Sequence, residues 1–288
     1  MGDWEWIAYA CASALLGGAL PSFVKTGVHR TPPSVAAAIY ATAVFLFSLG
    51  AAAISGTLGS VSGLGNATLV NLVLCGALRA LVWLCLFAAL STGNVNRVMP
   101  VHNLAPALAI GASALLFDTA IGVWRLCCLV LLLLGTVLME SRQQKGRGYR
   151  WLLFACLALA GTAARDVLCA RLLPNVPDSL QNLMEAFVAM LALWVLSAAG
   201  RTFGSLKKLQ PESWLFLLLA GASTGVALLC DASAARLGDS TYLLPISCLA
   251  FPLMFLFARV IHKEKTPAAA VLGLLLAVFG MFGLLLNV

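Results

Sequence analysis

One ungapped shift of 145 positions runs through the whole chain. It carries Trp6 to Trp151, Cys11 to Cys156, Pro32 to Pro177, Gly76 to Gly221, Cys85 to Cys230, Gly93 to Gly238, Pro100 to Pro245 and Gly135 to Gly280. A common offset without gaps marks a tandem duplication, and an internal repeat restricts the fold more than any single motif does. The best-marked copies are Gly238 to Lys265, GDSTYLLPISCLAFPLMFLFARVIHKEK, and Gly93 to Thr119, GNVNRVMPVHNLAPALAIGASALLFDT.

Each copy is built from long apolar runs. A membrane-crossing helix needs about 20 apolar residues. Ten such runs are read at 4–25, 33–55, 67–90, 97–117, 120–139, 150–173, 178–200, 212–236, 240–262 and 267–287. The chain is 61% apolar and 10% charged, against roughly 25% charged in soluble chains. One water-soluble core has no room for that much apolar surface. Continuous runs also exclude a β-barrel, which would show alternation instead. The expected class is therefore an all-α integral membrane protein with ten transmembrane helices in two five-helix repeats. The division is residues 1–140, a basic linker at 141–150, and residues 151–288.

Five is odd, so the second copy enters the bilayer from the opposite side to the first. The two repeats are inverted, an architecture that recurs in secondary transporters with the binding site near the midplane. Loop charges set the orientation. Thirteen Lys and Arg, among them Lys25, Arg97, Arg147, Lys207 and Lys263, lie in or beside odd-numbered loops, and three, Arg125, Arg171 and Arg236, beside even ones. This bias puts the odd loops in the cytoplasm and both termini outside. It also accounts for the net charge of +7 without nucleic acid. MGDWEW has acids where a signal peptide has bases, so the first span is expected to stay as an anchor.

The helix block from the third to the fifth span of each copy resembles the drug/metabolite transporter superfamily, in particular its EamA-type members. In the second copy it runs SWLFLLLAGASTGVALLC, LGDSTYLLPIS, the KEK turn and LGLLLAVFGMFGLLL. In the first copy it runs Trp83-Leu84-Cys85, STGNVNRVMPVHNLAP and VLLLLGTVLM. The resemblance implies a ten-helix carrier in the plasma (inner) membrane. It also implies an acid after the fourth helix of a repeat, present here as Glu264; Asp118 is one position out of register in the first copy. Ten-helix members usually keep their termini in the cytoplasm, whereas the charge bias here reads the reverse.

Ionisable residues within spans are costly, on the order of 2.5–3.5 kcal/mol on insertion scales, so each is a candidate site. They are Arg79, His102, Arg165, Asp166, Glu185 and Asp231. Helix rise puts Asp166, Glu185 and Asp231 at similar depth, nearer the even-loop face. One reading is a polar cavity where Glu185 and Asp231 meet a cationic group or exchange protons. The other is structural: Arg165 or Arg79 neutralises an acid and pins helix to helix. The shift of 145 relates Glu185 to Tyr40, so the acids belong to one half. A second polar group is His102-Asn103 after Pro100, matched by Ser247-Cys248 after Pro245. Trp83, Tyr40 and Tyr242 are candidate lining residues that suit aromatic or quaternary-amine ligands.

No catalytic, cofactor or metal-binding pattern is persuasive. Gly221 to Gly225 fits GxSxG, but inside a membrane helix it lacks the turn that exposes a nucleophile. The nine cysteines lie in apolar segments as small packing residues. The expected function is a secondary transporter, exporter or exchanger, of a small polar metabolite, amino acid, amine or drug-like cation. Its partners are that solute, protons and the bilayer, as a monomer or homodimer. The alternatives are a lipid-linked substrate flippase and a non-transporting scaffold or receptor.

Overall fold

The computed structural model describes residues 5–117, 122–140, 149–237, 246, 249–264 and 268–285. Tyr242, Pro245, Ser247, Cys248 and Asp118 lie outside them, as does most of the basic linker. The described elements are helical: α1 (Glu5–Val28), α2 (Pro33–Ile54), α3 (Asn66–Thr92), α4 (Val95–His102), α5 (Ala105–Phe117), α6 (Val123–Glu140), α7 (Arg150–Leu172), α8 (Asp178–Ala199), α9 (Pro211–Leu237), α10 (Ala250–His262) and α11 (Ala268–Leu285). Short 3-10 turns at Thr57–Gly63 and Phe203–Lys208 follow α2 and α8.

Among the described residues, seven spans, six single helices and the α4–α5 pair, are long and apolar enough to cross a membrane, and three shorter apolar helices stand at Val123–Met139, Ala250–His262 and Ala268–Gly283. The fourth expected span, 97–117, is two helices rather than one. Pro106 has no N–H to give His102 and its ring would crowd that carbonyl, so the helix cannot run through. The chain instead turns at Asn103-Leu104 and restarts with Pro106 in the first turn of α5.

Helix packing repeats across the two halves. The pair α1–α9 has its mate in α7–α3, α2–α9 in α8–α3, and α1–α10 in α7 with α4 and α5. The pairs α2–α8 and α6–α11 join equivalent helices of the two halves, so they lie on the approximate two-fold axis. Both run antiparallel. In the first, Ser34 meets Thr202, Thr42 meets Trp194 and Thr57 meets Ser179. In the second, Gly135 faces Ala277, while Gly280 faces Cys128 and Leu132. Equivalent helices that run antiparallel mean that the two copies point in opposite directions, as the parity of five required.

Small residues make these approaches. A Cβ on Gly76 would meet the Val188 Cβ at 2.7 Å and the Glu185 carbonyl at 3.1 Å. A Cβ on Gly221 would meet the Ala43 Cβ and the Tyr40 carbonyl. The shift of 145 turns the first set of contacts into the second. In lipid there is no hydrophobic drive between helices, so close backbone packing carries the association. The main apolar core lies where α2, α3, α8 and α9 meet, around Tyr40, Phe87, Ala189, Leu193 and Ala220.

Candidate functional site

At this junction lies a polar network that joins the halves. Glu185 of α8 is fully buried, with 0% side-chain exposure. Its Oε2 accepts a hydrogen bond from Arg165 Nε of α7 at 2.6 Å and faces Arg79 Nε of α3 at 3.3 Å. Its Oε1 accepts from Gln181 at 2.8 Å, one turn earlier on α8, and from the Cys169 thiol at 3.4 Å. Asp166 accepts from Arg165 Nη1 at 3.0 Å. The pairing reading of the sequence is therefore what the geometry presents. Arg165 and Arg79 both neutralise Glu185, and the cations it meets are the protein's own. A buried charge is tolerable only with its partners in place, since desolvation costs several kcal/mol per ion.

Arg79 sits in the middle of α3. Its Nη2 donates to Asn182 Oδ1 at 2.9 Å, and its guanidinium lies 5.5 Å from the centre of the Trp83 ring. Trp83 meets Tyr40 edge-on at 4.9 Å, and Tyr40 lies 5.2 Å from Phe87. The Tyr40 hydroxyl shares a hydrogen bond of 2.9 Å with Thr224 of α9. The shift of 145 converts Tyr40 into Glu185 and Thr224 into Arg79. The hydroxyl pair and the ion pair are thus the same contact in two copies, and each crosses from one half to the other. Trp83 connects them.

The remaining candidates stand apart. Asp231 is exposed and lies beside Ser13 of α1. Helix rise gives it the depth of the other acids, but α9 turns it towards Ser13 of α1. His102 and Asn103 end α4, where the Asn103 amide donates to Met99 and the His102 Nδ1 is buried without a partner. Ser247 lies outside the described residues. Cys75, Cys169 and Glu185 each bring a ligand atom within 4.8 Å of the others. Two guanidinium groups on the same carboxylate oppose a cation there.

A second cluster lies at the odd-loop face. Glu264 follows α10, and its Oε1 and Oε2 accept the Val95 and Asn96 amides, each at 3.1 Å. These amides open α4, whose first N–H groups have no intrahelical partner. A carboxylate is favoured at such a helix start. Lys25 of α1 pairs with Glu264 at 2.5 Å and donates to Asn94 at 3.3 Å. The turn that delivers Glu264 needs Lys263 in the left-handed region, with φ 51°. His262 Nε2 adds a bond to the Ser22 carbonyl at 3.1 Å. The second half is thereby fastened to the first on this face.

Sequence reasoning missed Gln181, Asn182, Cys169 and Thr224, and did not foresee that Lys25 reaches Glu264. Gln181 and Glu185 are four apart on α8 and so share a face, and Thr224 follows from applying the shift of 145 to Arg79.

Comparisons with known proteins bear on the whole chain. The model of the EamA-like transporter family matches residues 4–141 and again 149–286. A curated relative from Sinorhizobium sp., an "Uncharacterized transporter in cobO 3'region", is 26% identical over 137 residues, covering 45% of this chain and 97% of the relative. That relative has about the length of one repeat. A protein of known crystal structure superposes with a TM-score of 0.66 at 17% identity, over 95% of this chain and 94% of that one, and shares the fold. The family model falls twice on the copies that the shift and the packing both relate, so the chain belongs to the EamA-like transporter family of the drug/metabolite transporter superfamily and is a membrane transporter.

Proposed function

We propose that the protein is a secondary active transporter of a small polar metabolite, working by alternating access about the approximate two-fold axis. The observation that carries this reading is the placement of the Arg79–Glu185 and Tyr40–Thr224 contacts. They are equivalent, they join opposite halves, and Arg79 and Thr224 stand in the middle of their helices. Rocking one half against the other breaks or remakes both. The Lys25–Glu264–α4 cluster is then the latch that holds the odd-loop face shut. The charge bias puts that face in the cytoplasm.

Asp231 is the acid proposed to carry protons. It is exposed, and no cation pairs with it among the described residues. Glu185 is held by two arginines and serves as the pivot of the pairing instead.

The test is solute counterflow in sealed liposomes. Vesicles loaded with unlabelled solute take up labelled solute only through a reversible carrier. Uptake that depends on the internal solute is expected, and Asp231→Asn is expected to abolish its response to a pH gradient while counterflow persists. No counterflow of any amino acid, organic acid or amine would refute the carrier reading.

A further inference from the structure

We infer that Arg79 is the anchor for a carboxylate on the transported solute, and that the solute joins this carboxylate to an apolar or aromatic body. The inference rests on the transporter reading above and narrows it to a substrate class.

The donors of Arg79 are unevenly used. Nε faces Glu185, and Nη2 donates to Asn182. Nη1 is buried and has no hydrogen-bond partner. Buried polar groups are rarely left so, because they lose water without gaining a substitute. Glu185 has nothing left to offer. A carboxylate presents about four acceptor positions, and Arg165, Arg79, Gln181 and Cys169 surround this one. Asp166 turns to Arg165. Beside Arg79 a cationic ligand therefore meets a carboxylate already filled by its neighbours, with only the part-exposed Asp166 beyond Arg165, whereas an anionic ligand meets an unpaired buried donor.

The surroundings choose among anions. The Arg79 guanidinium lies over Trp83, which meets Tyr40, with Phe87 beyond. The ring face attracts the guanidinium charge, and a planar fork matches a carboxylate better than a point charge would. The aromatic rings suit an apolar body attached to that carboxylate. This departs from the amine and drug-like-cation classes expected from the acids alone.

The experiment measures binding to the wild-type protein in detergent by thermal shift and calorimetry. The probes are phenylacetate, indoleacetate and isovalerate, each with its matching amide and amine. At least one carboxylate is expected to bind about tenfold or more tightly than its amide, because charge-assisted bonds are roughly twice as strong as neutral ones. Its amine should not compete. Arg79→Lys, which keeps the charge but not the fork, should lose about tenfold of that affinity. Arg79→Gln with Glu185→Gln removes both charges together and should abolish the preference for acid over amide. The inference is overturned if no carboxylate outbinds its amide, if the amines bind best, or if folded Arg79→Lys binds unchanged. The wild-type comparison stands even if the variants do not fold. Carboxylate binding with no counterflow of any solute would sink the transporter reading alone. Counterflow of an amine with no carboxylate preference would sink this inference alone.

Discussion

Glu185 accepts hydrogen bonds from Arg165 and Gln181, pairs with Arg79 of a third helix, and is wholly removed from solvent. Replacing it with alanine would strand Arg165 and Arg79 against each other with no anion between them. Breaking a buried pair from one side costs roughly 3–5 kcal/mol. Glu185→Ala should therefore lower the thermal midpoint in detergent sharply, and Asp231→Ala should barely change it. Equal effects would mean that the pairing carries no stability. The charged members of this network were legible in the sequence because a charge in an apolar span needs a reason. The neutral members were not, since Gln, Asn, Cys and Thr are cheap in a membrane helix and leave no signal of their own. Asp231 shows the other limit. Helix rise gives depth from sequence, but the direction a residue faces depends on how its helix is rotated, and α9 turns this acid towards Ser13.

At the scale of elements, glycines and one carboxylate decide which helices touch. An added Cβ on Gly76 runs into the Glu185 carbonyl and Val188, and one on Gly221 runs into their mates, the Tyr40 carbonyl and Ala43. Overpacking of this kind costs about 1–3 kcal/mol. Gly76→Val and Gly221→Val should each destabilise by that order, while Gly111→Val, with nothing within 4 Å, should be tolerated. A tolerant Gly76 would show that α3 and α8 do not meet as described. Glu264 does comparable work for α4 by capping its first amides. Glu264→Ala should speed hydrogen exchange at Val95 and Asn96 relative to the middle of α3, and unchanged exchange would exclude the cap. The sequence reads as one span over 97–117, and the break between α4 and α5 before Pro106 was not foreseen. A proline says where a helix loses a bond, and the neighbours settle where it bends.

At the scale of the whole molecule, duplication and parity made the inverted arrangement legible before any coordinates. What they left open was which helices pair, because an offset relates copies without saying how they dock. The packing supplies that answer: α2 with α8 and α6 with α11 on the axis, both antiparallel. The polar centre is lopsided within this frame, an ion pair on one side and a hydroxyl pair on the other, so the two halves do not present the same chemistry to a solute. Everything above depends on the copies crossing the membrane in opposite senses. Gly59 and Gly204 are equivalent under the shift of 145, and a side chain at either would meet nothing within 4 Å. An epitope inserted after one or the other, read by antibody on intact and on permeabilised cells, tests the claim most directly. The tag after Gly59 is expected to be reached on intact cells and the tag after Gly204 only after permeabilisation; both tags on the same side would contradict the inverted architecture and the carrier built on it.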